Sequence, residues 1–275
     1  MRARWLLLVA CLSGVGFAGG AAAQETMWDG YASLGAGNAW FSMPSSQHWL
    51  AQGRGTAEFS LGGNWGTQLD IVDTYQMVAR PTGAAYNALD FADHTFYRSP
   101  GQWLFGALAQ YRSSTMAYEF GSNTFDQYYL GAEAQAYMGK FSLYGQAAYQ
   151  NVNYGYESAT GWVVRGRARF FVTPEWFIEA NALHSVLDAP SLYYSTTENT
   201  FGFGTEYHLS GTPLGVFANY SYSTIAFGNS FGNYNVSRVL AGFKWSFGGH
   251  SLWDRETGGA SLDPFPPSVP PNPPA

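Results

Sequence analysis

The chain has 275 residues, of which 12% are charged and 18% aromatic, with 33 glycines, a mean hydropathy of −0.16 and a net charge of −6. Near-neutral hydropathy excludes a bundle of several apolar membrane helices, and the ample apolar surface excludes disorder for most of the chain. The acidic balance, with a pI of about 5.3, excludes a basic nucleic-acid binder.

Residues 1–23 read as a secretory signal peptide. Arg2 and Arg4 form the positive end, Trp5 to Leu12 the apolar stretch, and Ala21-x-Ala23 before Gln24 the cleavage site. The glycines and the small-residue ending separate this segment from an uncleaved membrane anchor. Leu8-Val9-Ala10-Cys11 resembles a lipoprotein box, although the apolar stretch before Cys11 is short for one. Cleavage after Ala23 leaves no cysteine, which excludes disulfides, thiolate nucleophiles and cysteine metal sites. It also leaves 11 basic against 19 acidic residues, a net charge of −8.

Beyond Gln24 the recurring signal is a two-residue alternation over about ten positions, broken by turn residues. It predicts twelve strands, near 31–41, 54–63, 66–76, 93–98, 103–113, 126–138, 140–151, 161–172, 175–186, 198–208, 214–224 and 235–247. The weakest is 93–98, so ten or fourteen strands stay open. Five tight turns, at Gly63-Asn64-Trp65, Ser99-Pro100-Gly101, Gly139-Lys140, Thr173-Pro174 and Ser210-Gly211-Thr212, alternate with longer links such as 77–92, 114–125, 152–160, 187–197 and 225–234. Short periplasmic turns, longer extracellular loops and strands of this length define a transmembrane antiparallel up-and-down β-barrel over residues 24–247, set in outer-membrane lipid.

Register agrees with this. A two-residue Gly139-Lys140 turn pairs Tyr137 with Ser142 and keeps both strands' polar residues on one face. Arg165, Arg167 and Arg169 share a face with Glu179 only if the loop at Pro174 is odd, which sets Glu179 against Arg167 or Arg169. A soluble β-sandwich or lipocalin-like barrel would also alternate, but with apolar residues inside and exposed lysines outside. Here the mature chain has only Lys140 and Lys244, and Trp103, Tyr111, Tyr128, Trp162, Trp176 and Trp245 lie near strand ends, as interface girdles require.

Residues 238–247 resemble the last-strand signal through which bacterial outer-membrane proteins engage the barrel-assembly machinery, with Gly242, Trp245 and Phe247 matching and Leu240 where a polar residue is usual. Most such chains end at the Phe, whereas this one continues for 28 residues. More broadly, residues 54–260 resemble the porin-like outer-membrane proteins of alphaproteobacteria. The matching stretches are Leu61-Gly62-Gly63-Asn64-Trp65-Gly66-Thr67-Gln68-Leu69-Asp70, His94-Thr95-Phe96-Tyr97-Arg98-Ser99-Pro100-Gly101 and Gly131-Ala132-Glu133-Ala134-Gln135-Ala136-Tyr137. The resemblance implies an outer-membrane barrel described as porin-like, with no catalytic residues.

Candidate chemistry is thin. His208-x-Ser210 is similar to the His-x-Ser pair of lipid A deacylases but falls at a periplasmic turn. Glu206-x-His208 and Asp90-Phe91-Ala92-Asp93-His94 are loosely similar to the acidic and histidine pairs of outer-membrane proteases, without a convincing second acidic pair. His48, His184 and His250 lack ligand spacing, so neither a metal nor a cofactor is expected, and the chain is expected not to be an enzyme.

The inward-facing charges are Arg54, Glu58, Asp70, Glu133, Arg165, Arg167, Arg169, Glu179, Glu206, Arg238 and Lys244. They must pair or meet water. Either they line a polar conduit, whose arginine ladder favours small polar or anionic solutes, or they plug a narrow barrel. The expectation is a porin-like diffusion channel; the alternatives are a non-conducting structural or adhesive barrel and, third, a lipid- or peptide-cleaving enzyme. Residues 248–275 are expected as an extended periplasmic tail, with seven prolines between Pro264 and Ala275. It is either a tether to other envelope components or a disordered terminus.

Overall fold

The computed structural model describes residues 28–42, 45–78, 85–118, 121–154, 157–189, 194–228, 232–248 and 251–266. The expected signal peptide and cleavage site lie outside these residues. Twelve strands follow one another: β1 (Trp28–Ser42), β2 (Ser45–Gly62), β3 (Trp65–Val78), β4 (Ala85–Ser99), β5 (Trp103–Tyr118), β6 (Gly121–Met138), β7 (Phe141–Tyr154), β8 (Glu157–Thr173), β9 (Trp176–Ala189), β10 (Tyr194–His208), β11 (Leu214–Phe227) and β12 (Asn233–Phe247). A short helix, α1 (Leu252–Gly258), comes last. Each strand pairs antiparallel with its neighbours, and β1 pairs with β12, so the sheet closes without an edge. Closure leaves no backbone donor or acceptor row open, the condition for a sheet to sit in lipid.

The alternation decides which face is which. Leu34, Leu130, Phe201, Phe203 and Phe243 are among the most exposed large apolar side chains, whereas Gln68, His94, Arg112 and Gln127 are almost wholly buried. The barrel is therefore apolar outside and polar inside, the reverse of a soluble one. Aromatic rings border the apolar surface. Near the tight turns, Trp65, Tyr97, Trp103 and Phe105 make successive ring contacts at 5.4, 5.6 and 6.0 Å. Towards the other end, Tyr111 meets Tyr128 at 5.2 Å. Eight residues separate Trp103 from Tyr111 along β5, which at ~3.3 Å per residue and ~40° tilt is about 20 Å, close to the apolar band of such barrels.

The turn chemistry holds the predicted registers. Gly139 has φ 60°, and the pairs Tyr137↔Ser142 and Met138↔Phe141 close the hairpin across Gly139-Lys140. At the β8–β9 hairpin a register shift between Phe171 and Thr173 supplies the odd residue and sets Arg169 opposite Glu179. At the seam, Gly242 lies where a Cβ would come within 2.0 Å of the Leu34 carbonyl oxygen, so β12 approaches β1 only as glycine. Trp245 faces outward, and Phe247 packs on Trp28 with ring centroids 5.8 Å apart.

Two expectations need correction. The stretches expected as long links are mostly strand: β4 starts at Ala85, β2 at Ser45, and β5 and β6 run to Tyr118 and from Gly121. There both faces carry polar residues, so periodicity fades while the hydrogen-bond ladder continues; Thr115 and Thr124, for example, bond across β5 and β6 at 3.2 Å. The larger correction concerns the tail. Residues 251–266 do not lie outside the barrel as an extended periplasmic segment; they fold back through its turn end and occupy the lumen.

Candidate functional site: the lumen and its C-terminal plug

The plug begins with a capped helix. The Ser251 hydroxyl accepts from the Asp254 amide at 3.1 Å, and the Asp254 carboxylate accepts from the Ser251 amide at 3.3 Å, a reciprocal cap that starts α1 at the barrel mouth. Leu252 is buried against Phe171 and Phe177, and Trp253 stands edge-on to Phe171 at 4.9 Å. One helical face thus carries Leu252, Arg255 and Glu256 inward. Gly259 then ends the helix, and residues 259–266 run extended up the lumen.

An extended segment without a strand partner leaves its backbone polar groups to be satisfied by side chains. The wall does this almost residue by residue. Arg98 donates to the Gly259 carbonyl at 2.8 Å, Arg167 to Ser261 at 3.1 Å, Gln146 to Asp263 at 2.6 Å and Arg165 to Pro264 at 3.1 Å. Gln68 brackets Leu262, donating to its carbonyl at 2.8 Å and accepting from its amide at 3.1 Å. Gln110 does the same to Phe265, at 3.1 and 2.8 Å, and Arg112 adds a bond to the Phe265 carbonyl at 2.8 Å. Apolar anchors alternate with these. Leu262 packs with Phe96, Leu104 and Tyr144, and Phe265 stacks on Tyr129 at 5.4 Å beside Leu108 and Val163. Each such burial is worth about 2 kcal/mol.

All eleven residues predicted to line the lumen face it. Arg54 binds Asp70 at 2.7 Å, Glu58 takes Arg98 at 2.7 and 3.1 Å, and Arg169 binds Glu179 at 2.8 Å. Glu133 accepts from Tyr144 at 2.5 Å and lies 3.0 Å from His94 Nδ1. Glu206 joins Lys244 of the wall to Arg255 of α1, both at 2.5 Å. Arg238 lines the open part of the lumen. Most of these charges are therefore paired, and several are paired to the plug.

Sequence reasoning missed Asp90, His94, Arg98 and Arg112 as luminal groups. Arg112 is fully buried and binds Asp90 at 2.5 Å. His94 sits between Glu133 and Asp70, its Nε2 3.4 Å from the latter. The inward row of β4 is Tyr86, Ala88, Asp90, Ala92, His94, Phe96 and Arg98, and continuing the even positions back from Arg98 would have found it.

The residues weighed for catalysis do not assemble. His94 points inward, while Asp93 is on the outer face, taking a bond from Thr67 at 2.8 Å. Glu206 is held by two cations, and Ser210 lies in the turn beyond β10. His184 is bonded to Asn199 at 2.7 Å and His48 to Ser46 at 3.1 Å; His250 lies outside the described residues.

Beside the plug a cavity of about 270 Å³ remains, lined on the wall by the cations Arg54, Arg165, Arg169, Arg238 and Lys244 and the carboxylates Asp90, Glu179, Glu198 and Glu206, and on the plug by Asp263 and Pro264. Around α1 the free space shrinks to about 10 Å³. The lumen is thus a vestibule stopped at its turn end.

Glu256 is the plug's main acidic anchor there, accepting from Arg169 at 2.5 Å, Gln135 at 2.6 Å and Ser142 at 2.6 Å. Burial alone would raise its pKa, but Arg169 and Arg167 outweigh burial and hold it below the ordinary carboxylate value. A depressed pKa means that this anchor is fully present above the ordinary range and is lost as pH falls through the depressed value. Lowering pH from 7 towards 3 is therefore expected to loosen the plug and raise whatever conductance the barrel shows in planar bilayers, and Glu256→Gln should do so at pH 7. Unchanged records in both cases would remove Glu256 from the anchor.

No family model matches the chain, and no curated protein matches it. Among solved structures it is similar to the β domain of the Bordetella autotransporter BrkA (TM-score 0.53, 12% identity, covering 80% of this chain and 100% of that one). It is also similar to the translocator domain of the autotransporter NalP from Neisseria meningitidis (TM-score 0.52, 11% identity, 89% and 94%). The KdgM porin in complex with disordered oligogalacturonate aligns at a TM-score of 0.46 and 9% identity, over 78% and 99%. The first two likenesses show the fold, a closed β-barrel of the kind outer-membrane proteins have.

Proposed function

We propose that the protein is a porin-like outer-membrane channel for small polar or anionic solutes, closed at its periplasmic end by its own C-terminal segment. On this reading residues 1–23 direct export and are removed, β12 presents Gly242, Trp245 and Phe247 to the barrel-assembly machinery, and the tight turns with α1 face the periplasm. Its work is passage rather than catalysis.

The observation that carries this reading is the charged vestibule beside the plug. A barrel that needed only to be filled would be filled on both sides of the tail, as the β4–β7 side is. The side formed by β8–β12 and β1–β3 instead keeps an open cavity of about 270 Å³ lined by charged groups. A second reading, a non-conducting structural barrel, draws on the pairing of most luminal charges. Planar-bilayer recording of the purified full chain separates the two. A channel gives brief openings of uniform size that lengthen with voltage or acid; a silent bilayer under every condition removes the channel and leaves the structural barrel.

A further inference from the structure

The geometry points to an anion-binding site at the middle of the lumen, built for small carboxylate solutes and occupied at rest by the plug's own Asp263. The proposal rests on the channel reading for its biological use but not for its chemistry. Four guanidinium groups from two strands converge on that one side chain. Arg54 meets its carboxylate at 2.5 Å, Arg167 meets it directly, and Arg169 and Arg165 stand 3.7 and 3.9 Å away. Arg54 comes from β2 and the others from β8, whose alternation stacks three arginines on one face. Such a forked donor set matches a planar carboxylate, which can accept several charge-assisted bonds at once.

Charge bookkeeping makes the site a ligand site and not only a latch. The wall gives these four cations two carboxylates of its own, Asp70 bound to Arg54 and Glu179 bound to Arg169. The plug supplies the other two, Asp263 and Glu256, the latter 3.6 Å from Arg167. If the tail withdraws, Arg165 and Arg167 lose their nearest carboxylates and keep only the more distant charge of Glu179, which is bonded to Arg169. A carboxylate solute restores the lost counter-charge, so an anion that binds the cradle competes with Asp263 and by reciprocity weakens the tail. Access is already present, because Arg54, Arg165, Arg169 and Asp263 all line the open vestibule. The tail is thus a tethered competitor of the solute, and a carboxylate solute opens its own path.

The test uses the full chain in detergent and trypsin, whose cut after Arg255 is blocked while α1 is docked. Malonate and gluconate, compared with sodium chloride at matched ionic strength, are expected to speed that cut by about tenfold, within the usual range of allosteric coupling. Asp263→Asn, a change in the tail that leaves the barrel wall intact, should speed it in chloride and shrink the malonate effect. Equal rates in malonate, gluconate and chloride would overturn the site. Conductance without carboxylate sensitivity leaves the channel and removes the cradle; carboxylate sensitivity in a silent bilayer leaves the cradle and removes the channel.

Discussion

Deleting residues 249–275 is expected to convert the protein from a mostly closed barrel to a constitutively open one. Twelve strands about 4.8 Å apart and tilted about 40° close at a radius of about 12 Å, and wall side chains take up roughly half of it. The bore that remains is about as wide as one helix with its side chains, 10–12 Å. A single chain segment is therefore enough to stop it, and its removal is enough to clear it. The segment is held by Leu252, Leu262 and Phe265, at about 2 kcal/mol each, and by bonds to charged groups, at about 1.5–3 kcal/mol each before the entropy of ordering the tail. Even a small net fraction of that sum shifts the closed–open balance strongly, since each 1.4 kcal/mol is about tenfold. Open probability in planar bilayers should rise by about a hundredfold or more. The barrel itself should still form, because its twelve ladders and its seam involve no residue beyond Phe247. A heat-modifiable gel shift checks that point independently, and a folded but still silent deletion would mean that the wall side chains close the bore unaided.

Replacing Arg167 by alanine is expected to release the plug while sparing the barrel. This guanidinium binds the Asp263 carboxylate, the Ser261 carbonyl at 3.1 Å and Glu256 at 3.6 Å, and it lies over the Tyr144 ring at 4.7 Å. It is only 4% exposed, so water does not replace it. Removing one partner of a buried charge cluster costs about 3–5 kcal/mol. The loss falls on the docked tail, because Arg167 contributes its backbone, not its side chain, to the β7–β8 and β8–β9 ladders. Trypsin should then cut after Arg255 at least a hundredfold faster than in the parent, with heat modifiability unchanged. Arg165→Ala, which loses a carbonyl bond at 3.1 Å and a carboxylate contact at 3.9 Å, should have a much smaller effect.

The barrel was legible in the sequence because its rules are local. A two-residue period, a Gly at the first turn position and the parity of Arg169 and Glu179 each involve neighbours in the chain, and together they define facing and register. β4 was seen only at its end, because Ala88, Ala92 and Phe96 face inward while Leu89 and Phe91 face outward, so the apolar signal falls on both faces. The plug was not legible at all. The side-chain bonds of residues 259–266 run to β1 through β8, to partners at least 94 residues away. Nothing in Ser261-Leu262-Asp263-Pro264-Phe265 repeats, because its partners lie on several strands around the lumen in no periodic order. Its proline content suggests only an extended chain and says nothing about where that chain lies. Arg54, Arg165, Arg167, Arg169 and Arg238 were found as inward residues, but Arg98 and Arg112 were not, and nothing in the wall's own charges showed that acidic residues of the tail enter the lumen.

The central claim is that residues 251–266 occupy the lumen, and cysteine cross-linking tests it directly. Cys11 is the chain's only cysteine, so introduced pairs report without background in a Cys11→Ser chain. Ser261 and Gln135 are in contact at 3.1 Å, and Gln135 and Ser142 at 2.9 Å across the β6–β7 hairpin. In outer membranes, Gln135→Cys with Ser261→Cys should form a disulfide as readily as the wall pair Gln135→Cys with Ser142→Cys. A wall pair that closes while the plug pair stays reduced would place the tail outside the barrel and contradict the account.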